Sequence, residues 1–298
     1  MLDGRRIGIL GFGLEGRAAL GWLRLNAPAA TPVVFDEGAP TGFPTDVEFH
    51  QGDFAGAPLA DCDVLIRSPG ISLYRPFLEQ ARAAGVTVTT GSSLWLEAPR
   101  TCSVVAVTGT KGKSTVSALT AHLVEAAGRR VALAGNIGVP LIEVEGNAVD
   151  VTVAELSSYQ VADLVGNVDL AVLTNLFPEH LDWHGGEDSY YRDKTRLLAL
   201  AAGKAFVNGR CERSLASTRG LAQRQLFGSA PGWEVSPAGV FVHGDQVAGR
   251  PSWPLRGAHN DVNLAAALAA VNALGLDPLP LLPALADFRG LAHRQQRV

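Results

Sequence analysis

The sequence predicts an α/β fold. Two consecutive units of alternating strand and helix each surround a parallel sheet, and the second carries a small antiparallel β element. Three observations support this expectation. Short apolar runs alternate with helix-patterned stretches from residue 7 to residue 90, and again from residue 103 onward. A glycine-rich turn joins strand to helix near the start of each unit, at Gly11–Gly16 and at Thr108–Thr115. The length of 298 residues suits about two domains.

In the first unit, Ile7–Gly11 reads as a strand, Glu15–Leu25 as a helix and Pro32–Asp36 as a second strand. After a looser stretch, Asp63–Ile66, Arg75–Ala84 and Val86–Thr90 continue the alternation, and Ser92–Glu97 followed by Pro99 reads as a short helix and a break. The domains are therefore set at 1–98 and 99–298. In the second unit, Ser103–Thr108 has the apolar run of a buried strand, and a helix from about Ser114 to Ala127 closes at Gly128. Val131–Ala134, Asp150–Glu155, Leu170–Thr174 and Lys204–Val207 are further strand candidates, and Ser189–Ala202 is a helix. Val235–Val247 is expected to form a hairpin turning at Pro237, Gly239 and Gly244. Asn263–Leu274 and Leu279–Phe288 read as helices.

Composition excludes several classes. A hydrophobic content of 47%, a charged content of 18% and a formal net charge of -4 describe an ordinary globular protein with no electrostatic reason to bind nucleic acid. Cys62, Cys102 and Cys211 are widely spaced and form no metal-binding pair, so small buried thiols are expected. The first apolar run is too short for a signal peptide or a membrane span, which makes the cytoplasm the default and a membrane partner unexpected.

Gly11-Phe12-Gly13-Leu14-Glu15-Gly16 matches GxGxxG between a strand and a helix, with Asp36 about 20 residues on at the end of the next strand. The first domain is thus Rossmann-like. Its pattern places a diphosphate at a helix N-terminus and a carboxylate on a nucleoside. NAD and a UDP-linked substrate both satisfy that description, and an NAD-dependent oxidoreductase is one reading of it.

The second glycine turn, Thr108-Gly109-Thr110-Lys111-Gly112-Lys113-Ser114-Thr115, has the features of a phosphate loop. Glycines bring backbone N–H groups close to an anion, Lys113 adds charge toward the β- and γ-phosphates of ATP, and Ser114 or Thr115 offers a hydroxyl to Mg²⁺. The general GxxxxGK[ST] rule wants glycine at position 107, where this chain has Val107, so the loop is shortened. The second domain is accordingly expected to be a P-loop ATPase α/β domain. Three polar clusters follow at strand ends, where open parallel sheets bind ligands: Gly135–Gly138, Glu155–Gln160 and Thr174–Asp182. Glu155 and His180 are candidate groups for holding or orienting Mg²⁺, and Lys194 lies on a helix beyond them.

Together these segments resemble the Mur ligases of peptidoglycan synthesis, whose shortened phosphate loop is shared with folylpolyglutamate synthases. Glu155-Leu156-Ser157-Ser158-Tyr159-Gln160 and the Gly11–Gly16 turn are most similar to the branch that adds D-glutamate to UDP-N-acetylmuramoyl-L-alanine. Ser68-Pro69-Gly70-Ile71, His259-Asn260 and His293-Arg294 also fit the family pattern. The resemblance implies an ATP-dependent, ADP-forming carboxylate–amine ligase that works through an acyl phosphate as a cytoplasmic monomer.

It also assigns roles. Gly109, Thr110, Lys111, Gly112, Lys113, Ser114 and Thr115 would hold ATP, with Asn260 on the adenine and Arg294 on the nucleotide. Ser114 and Glu155 would hold one Mg²⁺, His180 would help with a second, and a carbamylated Lys194 would add a further metal-binding oxygen group. Leu14, Glu15, Asp36 and Gly70 would bind the UDP group, with Asn136 and His180 near the muramoyl part. The polar ending Leu291–Val298 reads as an approach to the family's C-terminal, amino-acid-binding domain, so this chain is expected to bind both nucleotides but not to complete ligation. The competing readings are another Mur ligase or a folylpolyglutamate synthase-like ligase, the oxidoreductase, and a non-catalytic nucleotide-binding module.

Overall fold

The computed structural model describes residues 2–290. Strands β1 (Arg6–Leu10), β2 (Thr31–Asp36), β3 (Glu48–Gln51), β4 (Val64–Arg67) and β5 (Thr87–Thr89) form a sheet in the order β3-β2-β1-β4-β5, with every neighbouring pair parallel. The twofold alternation of strand side chains decides what covers each face. Ile7, Ile9 and Val34 pack on Ala19, Leu20 and Leu23 of helix α1 (Leu14–Asn26). Leu10, Val33, Phe35 and Leu65 pack on Phe77, Leu78 and Ala81 of α2 (Pro76–Ala83).

Gly16 sets how closely α1 approaches β1, because a Cβ there would lie 2.0 Å from the Gly11 carbonyl oxygen. Backbone cannot step aside cheaply. Gly16→Ala is therefore expected to cost about 1–3 kcal/mol of stability, measured as a lowered urea midpoint at unchanged slope.

The second sheet has nine strands: β6 (Ser103–Thr108), β7 (Val131–Gly135), β8 (Val151–Glu155), β9 (Val168–Leu173), β10 (Ala201–Asn208), β11 (Arg224–Phe227), β12 (Trp233–Ser236), β13 (Gly239–Val242) and β14 (Asp245–Ala248). Their order is β14-β13-β12-β11-β10-β9-β6-β8-β7, parallel from β7 to β12 and antiparallel from β12 to β14. One face packs on α4 (Lys113–Ala126) and α9 (Ala258–Ala273) through Val105, Val107, Leu119 and Leu268. The other face packs on α5 (Ser158–Val161) and α7 (Glu187–Ala199) through Val104, Ala106, Val161 and Leu197. Two short helices, α6 (Leu181–His184) and α8 (Glu212–Ser217), complete the unit.

Several elements differ from the sequence reading. The looser stretch contains β3, and the expected hairpin is a three-stranded meander, β12–β14. Leu279–Asp287 is a 3₁₀ helix rather than an α-helix, since Pro280 and Pro283 lack the N–H groups an α-helical ladder needs. The helix expected to run to Ala202 ends at Ala199, because β10 begins at Ala201. β11 and α8 fall in a stretch with no clear periodicity.

The boundary read near residue 99 lies after helix α3 (Gly91–Glu97), yet Trp95 and Leu96 belong to the core of the second sheet, and the Trp95 indole donates to the Val144 carbonyl at 2.7 Å. A second tie joins the units. The Arg67 side chain at the end of β4, 0% exposed, makes a two-pronged ion pair with Asp163 at 2.6 and 3.0 Å and donates to the Tyr159 and Ile71 carbonyls. The three cysteines are free and buried, as expected. Among the described residues, no helix is long and apolar enough to cross a membrane.

Candidate active site

β6 lies between β8 and β9, so the C-terminal ends of these three strands bring the glycine loop, Glu155 and Thr174 side by side. Val107, where the general loop rule expects glycine, is fully buried within β6 and pairs with Glu155 of β8. The strand has taken that position, and the loop starts only at Gly109. Gly109 has φ 141°, and a Cβ there would lie 1.9 Å from the Thr174 hydroxyl oxygen. Gly112 caps α4 with φ 83° and no side-chain cap, leaving the first-turn N–H groups of the helix to an anion.

Neighbouring strand ends hold the loop in shape. Thr174 Oγ1 and Asn175 Nδ2 donate to the Lys111 carbonyl at 2.6 and 2.9 Å, and the Lys111 N–H donates back to Asn175 Oδ1 at 2.8 Å. The Thr110 hydroxyl bonds Tyr190 at 2.8 Å. Lys113 Nζ donates to the Gly109 and Thr110 carbonyls at 2.9 and 3.0 Å, so its ammonium is curled over the loop it serves. The Lys111 side chain is exposed and forms an ion pair with Glu179.

Glu155 ends β8 with its side chain almost wholly buried. Its Oε1 accepts from Asn136 Nδ2 at 2.8 Å, while Oε2 is buried without a hydrogen-bond partner. A buried carboxylate oxygen without a donor carries a large desolvation penalty unless a cation meets it. A divalent cation between Glu155, the buried Ser114 hydroxyl and substrate phosphates suits the oxygen-rich, few-protein-ligand habit of Mg²⁺. Among the described residues, no three His, Cys, Asp or Glu side chains gather as a metal cluster. His180 is exposed, adopts φ 54° at the start of α6 and lies against the Tyr159 ring at 5.1 Å.

Lys194 is 2% exposed on α7, and its Nζ donates to the Gly109 carbonyl at 2.9 Å. Burial, aided by the Lys113 charge, pushes its pKa down to about 7. The unfolded side chain titrates near 10.4. The folded protein therefore holds fewer protons than the unfolded one between those values, and stability must rise with pH across that window. The penalty of the buried charge is full below pH 7 and vanishes above the unfolded value. Wild type is expected to gain up to about 1.4 kcal/mol per pH unit on Lys194→Met between pH 7 and 9.5, read from paired urea unfolding curves. Parallel curves would refute the shift.

The expected UDP-binding residues lie on the first domain near the seam. Leu14 is 67% exposed at the start of α1. Glu15 beside it is half-buried, which raises its pKa, and it accepts from Gln160 Nε2 of the second domain at 3.0 Å. Asp36 braces the glycine turn itself, accepting from the Phe12 N–H at 2.6 Å and the Gly38 N–H at 2.8 Å. Gly70 lines an interdomain cleft of about 660 Å³ together with Tyr74, Arg75, Asp182 and Trp183. Asn260 is buried near the start of α9, donates to the Arg256 carbonyl and accepts from Asn263, whose Oδ1 lies against Gly112. His293 and Arg294 lie outside the described residues.

Sequence reasoning assigned no role to Tyr74, Asp193, His184 or Ser158. They form one chain of hydrogen bonds, exposed only at Tyr74: Tyr74 hydroxyl to Asp193, Asp193 to His184 Nδ1, and His184 Nε2 to the Ser158 hydroxyl. Ser158 stood within a recognised motif, but nothing in the order of residues connects it to Tyr74.

A parallel sheet with an uncapped, lysine-bearing glycine loop at its centre, joined to a Rossmann-like domain, defines a two-domain nucleotide-binding α/β protein of the phosphate-loop class. Sequence comparison places it more closely. The Mur ligase middle domain matches residues 107–271, and the N-terminal domain of the MurD-like Mur ligases matches residues 5–90. The chain belongs to the Mur ligase family.

Among its relatives is a UDP-N-acetylmuramoyl-L-alanine–L-glutamate ligase from Micromonospora sp., 42% identical, the match covering 98% of this chain and 67% of the relative. The protein of the same name from Xylella fastidiosa is 40% identical, over 99% of this chain and 66% of its own length. The chain thus spans about two thirds of these relatives. Solved structures share the fold. UDP-N-acetylmuramate:L-alanyl-gamma-D-glutamyl-meso-diaminopimelate ligase from Neisseria meningitides aligns with TM-score 0.65 and 21% identity, over 96% of this chain and 99% of that one. UDP-N-acetylmuramate-alanine ligase from Thermotoga maritima gives TM-score 0.55 and 20% identity, over 96% and 69%.

Proposed function

We propose that this chain carries the ATP and UDP-substrate sites of an ATP-dependent, ADP-forming ligase that joins glutamate to UDP-N-acetylmuramoyl-L-alanine. The observation that carries the reading is Glu155, whose buried, unpartnered Oε2 stands at the strand end beside the uncapped loop. It leaves a place for a cation next to a place for phosphates. The names of relatives at 42% and 40% identity support the substrate pair. Those names specify L-glutamate, where the resemblance read from sequence implied D-glutamate. L-Glutamate is therefore the proposed amine substrate.

In this reading the loop N–H groups and Lys113 hold the β- and γ-phosphates, and Asn260 faces the adenine. A substrate carboxylate oxygen attacks the γ-phosphorus, the bond to ADP breaks, and an acyl phosphate results. The glutamate amine then attacks the acyl carbon, loses a proton, and phosphate leaves as the amide forms. Such chemistry rests on positioning and charge neutralisation. Mg²⁺, held by Ser114 and Glu155, supplies part of that neutralisation when bound. His180, at the start of α6 against the Tyr159 ring, is assigned to the muramoyl part and a second metal position. Leu14, Glu15, Asp36, Gly70 and Asn136 are assigned to the UDP substrate. The low pKa of Lys194 supports carbamylation, because the neutral amine is the form that adds CO₂.

The test uses the protein as the cell makes it, with ATP, MgCl₂, UDP-N-acetylmuramoyl-L-alanine and either enantiomer of glutamate. ADP release and amide product are expected with L-glutamate. Product with D-glutamate alone would reverse the enantiomer, and amino-acid-independent turnover with no amide would remove the ligase reading.

A further inference from the structure

The interdomain cleft and the phosphate loop are connected through two consecutive residues of α7. Tyr74 lies in the first domain, between β4 and α2, and forms part of the cleft wall. Tyr74 is 38% exposed, and its hydroxyl lies 2.9 Å from both carboxylate oxygens of Asp193 in the second domain. Asp193 is 5% exposed, and its Oδ2 also meets His184 Nδ1 at 2.6 Å. The next residue on the helix is Lys194, whose Nζ holds the Gly109 carbonyl. Successive helical residues diverge by about 100° around the axis, so one turn of α7 faces the other domain with Asp193 and the phosphate loop with Lys194.

Building on the proposed function, we infer that Tyr74 and Asp193 are positioning residues that couple occupancy of the UDP-substrate cleft to the arrangement of the phosphate loop. A buried carboxylate requires its donors. Withdrawing the Tyr74 hydroxyl leaves Asp193 with His184 as its partner and loosens the hold of the first domain on α7. The helix then carries Lys194 with it, and Gly109 loses a restraint. A ligand that fills the cleft keeps Tyr74 in place, so it favours the loop shape that receives a triphosphate. Linkage makes the effect reciprocal: bound nucleotide must tighten the cleft ligand by the same factor. The rest of the seam holds the domains together without touching the loop. Arg67 pairs with Asp163, and Glu15 accepts from Gln160.

The experiment is a calorimetric titration of the 298-residue chain. A non-hydrolysable β,γ-imido analogue of ATP is titrated in MgCl₂, with and without saturating UDP-N-acetylmuramoyl-L-alanine, and the order is then reversed. Wild type is expected to bind each ligand about fivefold or more tightly in the presence of the other. Tyr74→Phe keeps the ring, which meets Trp183 edge-on at 6.3 Å, and removes only the hydroxyl. In that variant the ratio is expected to fall below about twofold, while the ATP analogue alone keeps its affinity within about the same factor. Asp193→Asn is expected to reduce the ratio in the same way. A purely structural role would weaken the separate affinity for the ATP analogue and leave the ratio intact.

A wild-type ratio preserved in Tyr74→Phe overturns the inference, as does a wild-type ratio of one with both ligands bound. Wild-type protein that binds the nucleotide but never the UDP ligand overturns the proposed function and the inference with it.

Discussion

In the protein as the cell makes it, Lys113→Ala is expected to reduce ATP-dependent turnover by about 10³-fold while leaving the affinity for UDP-N-acetylmuramoyl-L-alanine within about threefold. Its ammonium is the charge closest in sequence to the uncapped start of α4, and it donates to two carbonyls of the loop at 2.9 and 3.0 Å. Triphosphate oxygens would compete for those same protons, so alanine removes both a charge on the transferring group and a clasp across the loop. The loop itself should survive. Thr174 and Asn175 still hold Lys111, and Lys194 still holds Gly109. Leu14, Glu15, Asp36 and Gly70, assigned to the UDP group, lie on another domain and should notice little. Loss of both affinities together would contradict the separation of the two sites. The variant also has a second readout, because Lys113 helps hold the Lys194 pKa down. Removing that charge should move the titration of Lys194 upward.

Arg67→Met is expected to destabilise the protein by about 3–5 kcal/mol, the usual cost of stripping one partner from a buried ion pair. The guanidinium uses Nε and Nη2 on Asp163, Nη2 on the Tyr159 carbonyl and Nη1 on the Ile71 carbonyl, and it lies 5.7 Å from the Trp183 ring. Methionine fills the space but leaves a carboxylate and several carbonyls without donors. Lysine restores the charge without the planar fork, so Arg67→Lys should rescue little. Because the pair joins the two domains, urea unfolding of Arg67→Met is expected to separate into two transitions or lose slope. A single transition at the wild-type midpoint would refute this.

The legible parts of the fold were those set by local chemistry. Gly11–Gly16 and Thr108–Thr115 announced strand, turn and helix because their glycines adopt or permit backbone positions that other residues resist. Glu155 was legible as a strand-end acid. What escaped depended on distant partners. β3 pairs with β2 through residues of mixed polarity, Glu48-Phe49-His50-Gln51, which carry no clean alternation. The third strand of the meander, Asp245–Ala248, is nearly all exposed and gives no apolar signal. The apolar run at Leu279–Asp287 imitated an α-helix until its prolines decided the hydrogen bonding. In the site, Tyr74 and Asp193 lie 119 residues apart in sequence, and only the docking of the domains makes them neighbours. Asp36 was legible as an acid at the right spacing, but its hold on the Phe12 N–H was not.

The meander also answers a problem of solubility. A nine-stranded sheet ends in an outer strand whose outward N–H and C=O groups would invite another chain to continue the ladder. Here that place goes to β14, four residues long, led by Asp245 and Gln246, with a register irregularity where it joins β13. Shortness, charge and broken register each discourage a further strand from docking there. The substitution Asp245→Val would flatten that defence, turning a blunt rim into a template for self-association.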